Sequence, residues 1–254
     1  MDVNNQIVAI TGGASGLGAG AARVLSEAGA QVVILDRNES LAQATAKTLG
    51  ATAIACDVAN EDSVIGAFEK IKTELGPVRV LLNAAGVDVI AKTASRKGIH
   101  SLDDFQHMLN VNLTGTFSCA RLAAKQMIDA DPLDDDGERG VIINVASIAG
   151  YESPAGQVAY GASKAGVIGM TLPMARDLAK YGIRVMTIAP GAFETPLTKT
   201  VPEELWNEII KEVPFPKRLG QPDEFGALVR DICCNKMLNG EVIRLDASLR
   251  MFNQ

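Results

Sequence analysis

Two kinds of segment alternate along the chain from its first residues. Ile7-Val8-Ala9-Ile10-Thr11 is an apolar run with no polar alternation, the pattern of a strand buried on both faces. A glycine-rich turn follows, then an alanine-rich helical stretch that ends near Gly29. Gln31-Val32-Val33-Ile34-Leu35, closed by Asp36, repeats the strand pattern. Further on, the periodicities predict helices near 39–49, 61–75, 102–128, 158–181, 203–211 and 223–233. Strands are predicted near 52–55, 79–82, 141–145, 183–188 and 241–245. Seven strands with helices between nearly every pair imply an α/β fold, a doubly wound parallel sheet with helices on both faces. No change of composition divides the 254 residues, so a single domain over 1–254 is expected.

Two stretches interrupt the rhythm. Residues 129–140 (DADPLDDDGERG) hold six acidic side chains and read as a solvated loop. Residues 87–101 are polar and leave the fourth strand at its carboxyl end, the edge where open α/β sheets bind ligands. Lys92, Arg96 and Lys97 within them either guide an anionic substrate or are ordinary solvated cations.

Charge and composition narrow the partners. A net charge of −6, with no basic patch, argues against nucleic acid or an anionic membrane surface, because both are bound through clustered Lys and Arg. No apolar run approaches the ~18–20 residues of a spanning helix. The start of the chain is too short and polar for a signal peptide, so a cytoplasmic protein with a small-molecule substrate is expected. Cys56, Cys119, Cys233 and Cys234 form no C-x-x-C pair and read as small buried residues in a reducing compartment. His100 and His107 are the only histidines and read as surface or packing residues, so no metal site is expected.

The candidate chemistry begins at Thr11-Gly12-Gly13-Ala14-Ser15-Gly16-Leu17-Gly18, between the first strand and first helix. Glycines there permit a tight turn and bring backbone N–H groups close to a pyrophosphate, so Gly12, Ser15, Gly16, Leu17 and Gly18 are expected to bind a dinucleotide. Asp36, at the end of the second strand, can accept hydrogen bonds from the adenosine ribose and repels a 2′-phosphate. NAD is therefore expected over NADP, although Arg37 adjoins the carboxylate. Tyr160 and Lys164 stand four apart at a helix start, on one face. A nearby ammonium, together with a positive nicotinamide ring, lowers a phenol pKa and prepares Tyr160 to exchange a proton with an alcohol or ketone. Ser147, thirteen residues earlier at a strand end, can bind the same oxygen. Asn112 falls inside a helix where asparagine is a poor former, and a distortion there can hold a relay water.

Taken together these residues resemble the short-chain dehydrogenase/reductase family. The glycine turn, Asp57-Val58, Asn83-Ala84-Ala85-Gly86, Asn112, Ser147, Tyr160-x-x-x-Lys164, Pro190-Gly191 and Thr195-Pro196 occur in family order over nearly the whole chain. The resemblance implies a Rossmann-like sheet and a catalytic set of Asn112, Ser147, Tyr160 and Lys164. It implies that Lys164 contacts the nicotinamide ribose, and that Asp57 and Val58 lie at the adenine. Asn83, Ala84, Ala85 and Gly86 would follow the cofactor along the fourth strand. Pro190, Gly191, Phe193 and Thr195 would surround the carboxamide. Ala84 departs from the second asparagine that many members have. Within the family the text is most similar to the branch acting on short 3-hydroxyacyl-CoA thioesters and hydroxysteroids, which implies a homotetramer and places Gln157 at the substrate. Residues 192–216 are expected to form a lid, with Phe193 and Leu197 toward the substrate and Trp206 less clearly so. A carbonyl reductase of free ketones is the alternative activity. A non-enzymatic dinucleotide sensor or scaffold is disfavoured, because all four catalytic positions are filled.

Overall fold

Side chains that alternate along the central strands divide between two hydrophobic cores, one on each face of a seven-stranded sheet. Val8, Ile10, Val32 and Ile34 pack into one core with Leu25, Phe225 and Val229. Ile7, Ala9, Val33 and Leu35 pack into the other with Phe68, Ile71 and Met127. Burial on both faces is why these strands are apolar without interruption. The computed structural model describes residues 1–195 and 203–251, without the side chains of 203–206.

The elements in chain order are β1 (Ile7–Thr11), α1 (Gly16–Glu27), β2 (Gln31–Asp36), α2 (Glu39–Leu49), β3 (Thr52–Ala55), α3 (Glu61–Glu74) and β4 (Val80–Asn83). A small exposed hairpin follows, β5 (Ala94–Ser95) and β6 (Gly98–Ile99), which the periodicity did not anticipate. Next come α4 (Leu102–Leu109), a π-helical turn (Asn110–Thr114), α5 (Gly115–Asp129), β7 (Gly140–Val145) and a short 3₁₀ turn (Ile148–Gly150). The chain continues through α6 (Val158–Ala179), β8 (Ile183–Pro190), α7 (Glu203–Glu212), α8 (Pro222–Cys234) and β9 (Val242–Leu245).

Sheet order is β3-β2-β1-β4-β7-β8-β9, and every pairing is parallel. The order reverses between β1 and β4, with Thr11 level with both Leu35 and Asn83. A ligand crevice belongs at such a switch point, beyond the carboxyl ends of the strands.

Helix starts show their chemistry. Asn38, Asn60 and Ser101 each accept a hydrogen bond from a first-turn N–H of α2, α3 and α4. Pro222 opens α8, where Glu224 reaches back to the Gln221 N–H. α1 is different: the Ser15 side chain makes no cap bond.

The acidic stretch is not wholly solvated. Asp134 and Asp136 pair with Lys236 at 2.6 and 2.8 Å on the surface. Glu138 is only 4% exposed and meets the Arg184 Nε at 3.0 Å. Arg184 also donates to the carbonyls of Ile232, Cys233 and Leu238, tying β8 to the end of α8.

Candidate active site

The carboxyl ends of β1, β4, β7 and β8 open into a cleft of about 470 Å³. Its nucleotide end is built on backbone proximity. Gly12 has φ +63°, and a Cβ there would lie 2.7 Å from the Ala85 Cα. A Cβ at Gly18 would lie 2.3 Å from the Gly12 carbonyl oxygen. Only glycine allows this turn to close, and the uncapped start of α1 sits beside it.

Asp36 holds the end of β2 against this turn. Its two carboxylate oxygens accept from the N–H groups of Ala14 (3.3 Å) and Asn38 (3.0 Å), and the side chain lines the cleft with Arg37. Asp57 and Val58 line the same end, and Asp57 accepts from the Ala59 N–H at 3.0 Å.

At the other end, Ser147 leaves β7 and opens the 3₁₀ turn, its Oγ accepting from the Ala149 N–H at 3.1 Å. Tyr160 and Lys164 lie in the first turns of α6. Lys164 is 4% exposed and donates to the Val145 carbonyl at 2.8 Å. Its Nζ is 5.7 Å from the centre of the Tyr160 ring. Burial pushes the Tyr160 phenol up to about 12; the adjacent Ser147 hydroxyl opposes this and the Asp88 carboxylate adds to it. Burial pushes the Lys164 ammonium down to about 8, with Asp88 opposing. Desolvation is the dominant influence on the phenol, and Lys164 alone does not offset it.

Gly12, Ser15, Gly16, Leu17, Gly18, Asp36, Asp57, Val58, Ala84, Ala85 and Gly86 all line the cleft. So do Ser147, Gln157, Tyr160, Lys164, Pro190, Gly191, Phe193 and Thr195. Phe193 is 6% exposed and seated against Gly220, so its ring belongs as much to the core as to the cleft. Two expected residues stand behind the wall instead. Asn83 donates to Asn144 Oδ1 (2.9 Å) and to the Thr116 carbonyl (3.2 Å), bracing β4 against β7 and α5. Asn112 sits in the π-helical turn, fully buried. Its amide pairs with both backbone groups of Val87 at 2.9 Å and donates to Ser163 Oγ at 3.1 Å. The helix distortion expected there is present, but the side chain is occupied by protein groups rather than turned to the cleft.

Leu197 lies outside the described residues, as does the side chain of Trp206. Ile209 of α7 lines the cleft, whereas Phe215 is 82% exposed. Lys92 and Lys97 are exposed around the hairpin, with Arg96, and none of the three lines the cleft. Cys56, Cys119 and Cys233 are buried free thiols, as expected, but Cys234 is exposed.

Several lining residues escaped the sequence reading. Asp88 and His107 line the substrate end, together with Leu249 and Met251 from beyond β9. Asp88 accepts from Gln157 Nε2 at 2.7 Å, and burial raises its carboxyl pKa. A carboxylate two residues after Gly86, at the carboxyl edge of β4, was the available signal.

This arrangement defines an oxidoreductase of the dinucleotide-binding α/β class. A family model described as "short chain dehydrogenase" matches residues 6–206, and the chain belongs to that family. Its members act on CH–OH donors with a nicotinamide dinucleotide. The chain is 51% identical to the human (Homo sapiens) protein "3-hydroxyacyl-CoA dehydrogenase type-2", over 98% of this chain and 97% of that one. It is 32% identical to "Carbonyl reductase family member 4" of Xenopus laevis, over 97% and 99%. The solved structure of 3-hydroxyacyl-CoA dehydrogenase type-2 from Mycobacterium avium superposes with a TM-score of 0.92 at 41% identity, covering 99% of this chain and 98% of that one. Among the described residues, no helix is long and apolar enough to cross a membrane, and no group of His, Cys, Asp or Glu has metal-binding geometry.

Proposed function

We propose that this chain is an NAD-dependent 3-hydroxyacyl-CoA dehydrogenase of the cytoplasm, with hydroxysteroid activity as a secondary capacity. The observation that carries the reading is the convergence of Ser147, Tyr160 and Lys164 on one end of a dinucleotide-shaped cleft. Its support in kinship is the group of relatives named for that activity.

The residues fit a nicotinamide dinucleotide: Gly12 and Gly18 have no room for a Cβ, and the α1 start is left uncapped. When bound, that group supplies the hydride acceptor for alcohol oxidation and the donor for ketone reduction. Asp36 receives the ribose hydroxyls and disfavours a 2′-phosphate. Asp57 and Val58 border the adenine; Asn83 to Gly86 form the wall, with Asn83 acting through its brace to Asn144. Pro190, Gly191, Phe193 and Thr195 border the carboxamide. Ser147 holds the substrate oxygen, and Tyr160 takes the alcohol proton during oxidation or returns it during reduction. Lys164 holds the ribose and adds positive charge that favours the phenolate. Asn112 fixes the site from behind, and Gln157 with Leu197 contacts the substrate. The chain acts as a single domain, and Ala192, Phe193 and Ile209, from the described parts of 192–216, border the substrate.

A homotetramer is part of the same proposal, supported by Phe117 on α5 and Leu172 on α6, large apolar side chains exposed on the outer faces of those helices. Gel filtration tests it; a stable monomer overturns it.

The function is tested by comparing kcat/KM for acetoacetyl-CoA, a steroid ketone and an aryl ketone with NADH, because that ratio measures differential binding of the transition state. The thioester should lead. A free ketone that leads instead establishes a carbonyl reductase.

A further inference from the structure

Asp88 brings a negative charge to the substrate end of the cleft, and no part of the proposed chemistry uses it. Its position is set from three sides. Val87, just before it, is held through both backbone groups by Asn112. Ala91, three residues on, donates its N–H to the Gly156 carbonyl at 2.8 Å. Gln157, the neighbour of Gly156, donates to Asp88 Oδ2 at 2.7 Å. Two segments that are already hydrogen-bonded to each other therefore carry the carboxylate and its amide partner.

The charge is barely neutralised. Asp88 Oδ1 is buried and makes no hydrogen bond of good geometry; the Val89 N–H offers only a weak offset. Its ion-pair partners within 4 Å are none among the described residues, and Lys164 acts on it only at longer range. The groups facing it are Gln157, Tyr160 and Lys164, and its field reaches both catalytic side chains. Asp88 lines the cleft with its unpaired Oδ1 shut off from solvent, so its charge is poorly screened and acts on a second anion placed there. Evolution of a site for free oxo acids would place a cation or an amide donor at such a position.

We propose that Asp88 is a specificity-determining residue, which excludes free 3-oxo and 3-hydroxy acids from the cleft and admits their esters and thioesters, in which the acid's own carboxylate charge is removed. The identity of the natural ester, a coenzyme A thioester, rests on the proposed function; the exclusion itself does not. Two like charges about 6 Å apart at an effective dielectric of about 20 repel strongly enough for about a hundredfold effect. Residual solvent brings the expected range down to roughly tenfold to a hundredfold.

The test compares acetoacetate with methyl acetoacetate, which has the same reacting ketone without the negative charge. Asp88→Asn keeps the shape and the acceptor for Gln157 and removes only the charge. The expected result is a rise of roughly tenfold to a hundredfold in kcat/KM for acetoacetate relative to methyl acetoacetate, whatever change the two substrates share through Tyr160 and Lys164. Asp88→Ala should move the ratio the same way. A ratio unchanged within about twofold in both variants overturns the proposal, as does an equal fall for both substrates, which marks a purely structural role. Where turnover is slow or Asp88→Asn folds poorly, the same ratio is read by calorimetry, from binding of 3-hydroxybutyrate and its methyl ester to the enzyme–NAD complex. Failure of the proposed function would show as no reduction of acetoacetyl-CoA while the acid-to-ester ratio still responds to residue 88.

Discussion

The Lys164 ammonium lies 5.7 Å from the centre of the Tyr160 ring, and burial moves both groups toward neutrality. The phenol is driven up to about 12 and the ammonium down to about 8, so at pH 7 a neutral phenol stands beside a lysine that is still mostly protonated. Activation of the phenol then depends on positive charge arriving with the cofactor.

Lys164 should therefore be a stability cost that function requires. In the unfolded chain it titrates near 10.5 and in the folded protein near 8, so the unfolded state binds more protons between those values. Stability from this group is lowest below pH 8 and rises toward pH 10.5. Lys164→Met should be more stable than the unsubstituted apoprotein at pH 7, by up to about 3 kcal/mol. Thermal melts at pH 7, 8.5 and 10 check this: the difference should shrink as pH rises.

Removing the phenol should leave binding intact and stop the proton transfer. Tyr160→Phe is expected to lower kcat/KM by about 10²–10⁴, the usual worth of a positioned acid/base group. Fluorescence titration with NADH should give a Kd within about threefold. Near-normal alcohol oxidation by this variant would show that another group moves the proton.

Asp36 should set the choice of dinucleotide. NAD should support faster turnover than NADP at equal concentration, and Asp36→Ala should narrow that gap by at least about tenfold, since one favourable and one repulsive contact are lost together. Steady-state kinetics with both cofactors decide it. Part of any loss will come from the freed Ala14 and Asn38 N–H groups, which both cofactors feel equally.

Far from the cleft, Arg184 should matter to stability alone. Arg184→Met leaves the buried Glu138 carboxylate with the Met1 ammonium as its remaining ionic partner among the described residues and takes the guanidinium donors from three carbonyls, at an expected cost of about 3 kcal/mol. Glu138→Gln added to it should recover none of that, because it also removes the charge that pairs with Met1. Urea denaturation measures the loss, while kcat/KM at 25 °C should hold within about twofold.

Most of the fold was legible because its strands are buried on both faces, which leaves uninterrupted apolar runs such as those of β1 and β2. β4 begins at Val80 rather than Arg79, whose side chain turns aside to the Arg139 carbonyl. The β5–β6 hairpin left no trace, since its residues are exposed and carry no alternation. Glu138 was hidden among acidic neighbours that are solvated, and its buried contacts with Arg184 and the Met1 ammonium separate it from them. At the site, motif residues were found through their company in the sequence. Asp88 belongs to no motif, and a charged side chain in a polar loop announces nothing until the fold turns it inward. Asn83 and Asn112 were legible as important but not as buried braces, because a hydrogen bond to a backbone group elsewhere leaves no sequence pattern.

The amide of Asn112 pairs with Val87 as an adjoining strand would, taking its N–H and its C=O together. This fastening ends the cofactor wall at residue 87 and isolates it from whatever follows. The loop beyond can change length, charge or rigidity without the nucleotide end registering the change. A new appetite for substrates can thus be drafted in residues 89–101 while the nucleotide end keeps its shape.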